Sequence, residues 1–315
     1  MARYGPAMAV ALGLLVALTY GSGDFFGGLA AKRTKAPTVV VGSFGLAAVL
    51  LALITLAWGL IGGLPHLAAH DARLGVAAGC IGPIAVVFLY HGLSTGRMSV
   101  VAPITAVIAA IVPFTWGLLH GERPAAISLF GVALALVAVG LISGAPAPTD
   151  GATGPTDGPP PLRSSGNPVP GAVVAGLGFG IVFVLLGTTT DHAGLWPLLI
   201  GRATATLLLL SALGGFALVA RRRGTLGPGG VAAVIVPVRA AWPAIAVSGV
   251  LDSTANGIYL SATHRGLLSI VAVLSSLYPA STVLLARVVL HERFHRVQVA
   301  GLALAVVGVV AMTAG

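Results

Sequence analysis

GVALALVAV, residues 131–139, returns 170 residues later as GLALAVVGV, residues 301–309. An apolar composition produces chance matches among Ala, Leu and Val, but the pair Glu122-Arg123 also recurs at the same offset, as Glu292-Arg293. A charged pair that returns in register is much harder to obtain by chance, so we interpret the two stretches as an internal duplication. The gap-free correspondence, with fifteen identical positions, joins residues 79–143 to residues 249–313.

The composition is that of a membrane protein. Hydrophobic residues make up 57% of the chain and charged residues only 8%, whereas soluble domains carry about 25% charged residues. The net charge of +9 does not indicate nucleic-acid binding, because the basic residues lie singly or in short groups between apolar runs. Cys80 is the single cysteine, so no intramolecular disulfide can form.

Ten apolar segments are long enough to cross the hydrocarbon core, which needs about 20 residues in a helix. A Pro/Gly-rich stretch, 145–169, predicts a flexible linker between a first five-helix repeat, 1–144, and a second one, 170–315. An odd number of spans gives the second repeat the opposite sense, so the sequence predicts an all-α integral membrane protein with two inverted-topology repeats. The predicted spans are 7–30, 38–61, 73–93, 98–119, 125–144, 170–188, 195–219, 242–262, 268–290 and 297–314.

Several short motifs resemble those of the EamA-type branch of the drug/metabolite transporter superfamily. They are FLYHGLSTGRMSVVAPITAVIAAIVPFTWGLLHGERP (88–124), Tyr278-Pro279 in the ninth span, and Tyr20-Gly21-Ser22 with Phe25 in the first. The resemblance covers nearly the whole chain and implies a ten-helix secondary transporter of small metabolites, with a proline kink in the ninth helix. It does not imply a substrate, because the members of the superfamily differ widely.

Ionisable residues inside spans are costly and indicate function by default. Ser248, Asp252, Asn256 and Tyr259 lie on one helical stripe, with Asp252 near mid-span. We interpret Asp252 as a cavity residue, because the duplicated span has Gly82 in its place. A desolvated carboxyl group can take up and release a proton during transport, so Asp252 is also the candidate proton carrier. The remaining cavity candidates are Tyr20, Asp24, His91, Arg202, Ser275 and Tyr278.

Other interpretations of these residues stay open. Arg202 could bind an anionic substrate group or neutralise an aspartate, and an Asp–Arg pair could serve only to hold the bundle together. Glu122 and Glu292 are typical of capped turns or surface ion pairs. The histidines do not have metal-ligand spacing, so we expect no metal and no cofactor.

The predicted function is a secondary transporter, with export as the expected direction, coupled to a proton or ion gradient across the cytoplasmic membrane. The alternatives are a membrane enzyme that acts on lipid-linked substrates and a non-transporting scaffold. We expect a small-molecule substrate, the lipid bilayer and possible homo-oligomers as partners, and no nucleic acid. Most Lys and Arg residues lie in odd-numbered loops, which places both termini outside, whereas the resemblance implies cytoplasmic termini.

Overall fold

The computed structural model describes residues 6–31, 33–34, 36–95, 98–144, 169–225, 239–290 and 295–314. These ranges are helical apart from turns and short connections and contain no strand. The predicted linker lies outside them up to residue 168. The helices are α1 (Pro6–Ala31), α2 (Ala36–Gly62), α3 (Ala69–Thr95), α4 (Met98–Leu119), α5 (Ala126–Gly144), α6 (Val169–Gly187), α7 (Trp196–Arg222), α8 (Trp242–Thr263), α9 (Leu268–Ser275), α10 (Tyr278–Leu290) and α11 (Arg296–Ala314).

By length and composition, six of the described helices could each cross a membrane. They are α1, α2, α3, α6, α7 and α11, and shorter apolar helical stretches lie in α4, α5 and the α9–α10 region. The prediction of an all-α membrane protein is confirmed.

The predicted ninth span is two helices rather than one. α9 ends at Ser275 and α10 begins at Tyr278, with a turn at Ser276 and Leu277. Pro279 is the cause, because proline has no N–H to bond to the carbonyl of residue 275 and its ring clashes with that carbonyl. The kink that the resemblance implied at this proline is therefore present.

The helices of the two halves interlock in a reciprocal pattern. α1 packs along α8, and α6 packs along α3. Likewise, α4 packs on α6 while α10 packs on α1, and α3 packs on α7 while α2 packs on α8. α5 packs on its own counterpart, α11. These contacts are thus repeated with the halves exchanged, which is how inverted repeats pack about a pseudo-two-fold axis.

Glycines that recur in the duplication lie at matching close contacts. A Cβ on Gly131 would come within 2.6 Å of the carbonyl oxygen of Gly308, and a Cβ on Gly301 within 3.1 Å of the carbonyl oxygen of Ala138. The four residues join α5 to α11 around the stretches 131–139 and 301–309. Small residues allow membrane helices to approach this closely, so the duplicated sequence serves as a helix-packing surface in both halves.

Candidate functional site

A cavity of about 170 Å³ lies between the two halves of the bundle. Its walls come from α1, α2, α3 and α4 of the first half and from α6, α7, α8 and α10 of the second. Sites for drug-sized ligands begin at roughly 300 Å³, so this cavity suits a smaller molecule. The charged residues among its described lining are Asp24, Arg202 and Asp252.

Arg202 and Asp252 form an ion pair across the α7–α8 boundary. The Nη2 atom of Arg202 donates to Oδ2 of Asp252, and the relative exposures of the two side chains are 14% and 29%. The guanidinium also lies 4.2 Å from the ring centroid of Phe44, on α2, in cation–π contact. Asn256 supports the pair one turn along α8, where its Nδ2 donates to the Asp252 carbonyl at 2.7 Å. The positive charge of Arg202 is therefore already matched inside the protein.

Asp24 has a different environment. It lies on the same cavity wall and is exposed, but it makes no hydrogen bond or ion pair with any residue in the described ranges. Its helix lies tightly against α8, since a Cβ on Gly23 would come within 3.4 Å of the Asp252 backbone nitrogen. With Asp252 matched by Arg202, the carboxyl group of Asp24 is the one that remains open to a ligand.

Aromatic rings form part of the remaining wall. Tyr20, Phe44, Phe183 and Tyr278 all line the cavity, and the Tyr20 and Phe183 rings lie 5.9 Å apart between centroids. Sequence reasoning found the two tyrosines but missed Phe44 and Phe183. Phe44 is the one large side chain in the segment GSFG, and this contrast could have marked it as a candidate. The local sequence does not show that its ring contacts an arginine from another helix.

Two predicted cavity residues lie behind the wall instead of on it. Tyr259 is fully buried, and its hydroxyl donates to the Phe183 carbonyl at 3.2 Å, because α6 covers α8 at this level. Ser275 is also fully buried and donates to the Val271 carbonyl at 2.7 Å. Because the helix is interrupted after Ser275, this residue and Tyr278 do not share one helix face. Of the two, Tyr278 lines the cavity. The side chain of His91 lies outside the described residues.

The Tyr20-Gly21-Ser22 segment on α1 meets the Tyr278-Pro279 segment on α10. A Cβ on Gly21 would come within 2.3 Å of the Tyr278 carbonyl oxygen, so only glycine fits there. The Thr282 hydroxyl donates to the Gly21 carbonyl at 3.0 Å. Two motifs that stand far apart in the sequence thus form one contact beside Asp24.

The family assignment follows from both halves of the chain. The EamA-like transporter family matches residues 7–144 and again residues 168–314. The chain belongs to the EamA-like transporter family. It is therefore a multi-pass membrane protein of a family of transporters, within the drug/metabolite transporter superfamily that the sequence motifs resemble.

Structural similarity agrees with the EamA-like assignment at the level of the fold. A solved crystal structure of a protein superposes on the chain with a TM-score of 0.65 at 18% sequence identity, covering 97% of this chain and 96% of the other. At this identity the likeness shows the fold alone. No curated protein matches the chain.

Polar contacts tie the two EamA-like halves together at the end of the bundle where α1 begins. The carboxylate of Glu122, after α4, accepts hydrogen bonds from the backbone N–H groups of Leu268 and Ser269 at 2.6 and 2.9 Å. It thereby caps the first turn of α9 in the other half. Of the two interpretations of Glu122, capping is the one that the structure shows, whereas Glu292 lies outside the described residues.

Two further contacts cross between the halves at the same end. Asp71, at the start of α3, accepts from the backbone N–H and the hydroxyl of Thr190 at 2.9 and 2.8 Å. The indole N–H of Trp196 donates to the Pro65 carbonyl at 3.0 Å. Since all three contacts join residues of different halves, they hold this end of the bundle together in the conformation observed.

Proposed function

We propose that the protein exports a small metabolite across the cytoplasmic membrane by alternating access, driven by a proton or ion gradient. The observation that carries this proposal is the cavity between two inverted halves, with Asp24, Arg202 and Asp252 facing into it. Inverted-repeat transporters hold their substrate at such an interface and expose it to each side in turn. Intramembrane ionisable residues are kept at a cost, which supports a functional role.

The contacts at the α1 end are candidates for the bonds that open and close during transport. Glu122, Asp71 and Trp196 each reach a residue of the opposite half. Rocking one half against the other would break these contacts together and form others at the opposite end.

The sequence suggested Asp252 as the residue that couples transport to a proton gradient. The geometry favours Asp24 for this role. Protonating Asp252 would leave the Arg202 charge without its partner in a low-dielectric site, and an unmatched buried charge is strongly unfavourable. Protonating Asp24 breaks no bond to any described residue. We therefore propose Asp24 as the carboxyl group that exchanges a proton during the cycle.

We also propose that the chain catalyses no reaction. An enzyme acting on lipid-linked substrates would need clustered carboxylates or histidines at one depth. The described lining residues of the cavity include the carboxylates Asp24 and Asp252 and no histidine. Within the described ranges, no three His, Cys, Asp or Glu side chains come together as a metal site requires.

Flux into proteoliposomes tests the proposal. Purified protein would be reconstituted with a pH-sensitive dye inside, and a panel of small amines, amino acids and organic acids would be added with and without a pH gradient. We expect at least one solute to move protons in wild-type vesicles, and the Asp24→Asn variant to lose this movement. Ser22→Ala, on the same helix with its hydroxyl bonded to the Leu18 carbonyl, is the matched control. The proposal would be contradicted if every solute gave only the background flux and this flux did not depend on the pH gradient.

A further inference from the structure

We propose that the cavity selects a small organic cation, an amine or ammonium group carried on an apolar body. Asp24 would bind the charge, and the surrounding aromatic rings would bind the body. This inference rests on the proposed function, since it takes the same cavity as the transport site. It adds the substrate class, which neither the family nor the sequence supplies.

The net charge of the cavity favours a cationic ligand. Its described lining holds two carboxylates, Asp24 and Asp252, and one cation, Arg202. The Arg202–Asp252 pair is internally neutral, so the deprotonated site keeps one negative charge, on Asp24. In a cavity of low dielectric a negative charge attracts a cation far more strongly than it would in water. A cationic ligand completes the balance, whereas an anionic one would add a second unmatched negative charge.

Arg202 is unsuited to holding an anion in this conformation. Its guanidinium donates to Asp252, lies over the Phe44 ring at 4.2 Å, and is only 14% exposed. An anionic ligand at Arg202 would compete with the Asp252 carboxylate for the same guanidinium, in a cavity that Asp24 also lines. The cost of separating such a pair argues against this exchange.

The aromatic residues of the cavity wall also favour an ammonium ligand. Tyr20 and Tyr278 line the cavity from α1 and α10, and Phe44, Phe179 and Phe183 line it from α2 and α6. The faces of such rings attract ammonium groups with about 0.5–2 kcal/mol each, and several rings around one cation form the cages that recognise ammonium ligands. Arg202 over Phe44 shows that this wall already stabilises one cation.

The size of the cavity sets the third limit. At about 170 Å³ it has room for a compact molecule such as an arylalkylamine, rather than for a large drug. Apolar lining residues, among them Val39, Val86, Val182 and Leu198, give the body of the ligand a surface to bury. A bare inorganic cation would leave these apolar walls without contact.

Equilibrium binding to the purified protein in detergent, by isothermal titration calorimetry, tests the assignment. The probes are benzyltrimethylammonium, its uncharged relative benzyl alcohol and the anion phenylacetate. We expect only the cation to bind at millimolar concentration. Asp24→Asn should weaken its binding roughly ten- to hundredfold, the range for a lost contact to a charged group. Asp24→Glu should retain binding, and Ser22→Ala should leave it unchanged.

The comparison of probes on the wild-type protein does not depend on the folding of any variant. Equal or tighter binding of phenylacetate or benzyl alcohol, or no binding of the cation, would overturn the assignment. So would an Asp24→Asn variant that folds and binds the cation as the wild type does. If the cation binds but no solute is transported in proteoliposomes, the transport function is refuted and the assignment of a cation site stands. If other solutes are transported but the cation does not bind, the cation site is refuted and the transport function stands.

Discussion

Arg202 on α7 donates to the carboxylate of Asp252 on α8, so the one arginine within the described lining of the cavity is neutralised by a residue of a neighbouring helix. The pair is partly open to the cavity, with side-chain exposures of 14% and 29%. The pair is neutral overall, so Asp24 is the charged group of the described lining that has no partner to neutralise it.

Breaking the pair from either side should destabilise the protein. We expect Arg202→Met and Asp252→Leu each to lower the free energy of unfolding by about 1–3 kcal/mol, because each leaves a desolvated charge without its partner. The double variant removes both charges and should recover part of that loss. Thermal unfolding in detergent measures all three, and single effects that simply add in the double variant would show that the two side chains do not interact.

Gly21 should tolerate no side chain, in contrast to Gly28 on the same helix. A Cβ at Gly21 would come within 2.3 Å of the Tyr278 carbonyl oxygen, whereas nothing lies within 4 Å of a Cβ at Gly28. Gly21→Ala should therefore cost about 1–3 kcal/mol through forced backbone shifts. Gly28→Ala should be neutral or slightly stabilising, since alanine favours helix. Equal unfolding temperatures for the two variants would contradict the close α1–α10 contact.

Glu122 should protect the first turn of α9 from exchange with water. Glu122→Ala removes the acceptor of the Leu268 and Ser269 N–H groups, a loss of about 1–2 kcal/mol for a helix cap. Hydrogen exchange followed by mass spectrometry should show faster exchange at residues 268–271 and no change in α5. Glu122→Gln keeps one acceptor oxygen, so its exchange rate at residues 268–271 should lie between those of Glu122→Ala and the wild type. Unchanged exchange in Glu122→Ala would mean that the cap is not formed in solution.

The orientation of the chain is a separate question with a direct answer. The distribution of Lys and Arg predicts that both termini lie outside. A C-terminal reporter that is fluorescent only in the cytoplasm should then remain dark, and one that is active only outside should give a signal. The opposite pattern would support the cytoplasmic termini that the family resemblance implied.

The sequence predicted the architecture well because its signals are local or periodic. Apolar length defines the spans, the recurrence of Glu122-Arg123 reveals the duplication, and Pro279 marks the break in the ninth span. The polar stripe on α8 placed Asp252 and Asn256 on the face that lines the cavity. Each of these signals can be read from the sequence without knowing which helices pack together.

The arrangement across helices could not be predicted in the same way. The stripe also contains Tyr259, and only the packing of α6 shows that this side chain is covered. The partnership of Arg202 with Asp252 was one of two open alternatives, and the Phe44 contact was not foreseen. These features depend on which helices meet and at what depth, and neither composition nor helical spacing determines that.

Access to the cavity from both sides of the membrane is the central claim, and cysteine labelling tests it without knowledge of the substrate. In a Cys80→Ser background, Val86→Cys places a thiol on the cavity wall, and Val306→Cys, on an exposed apolar face of α11, is the matched control. Vesicles of both orientations would be treated with a membrane-impermeant thiol reagent. We predict labelling of Val86→Cys in both orientations and none of Val306→Cys. Labelling of Val86→Cys from one side only, or from neither, would contradict alternating access through this cavity.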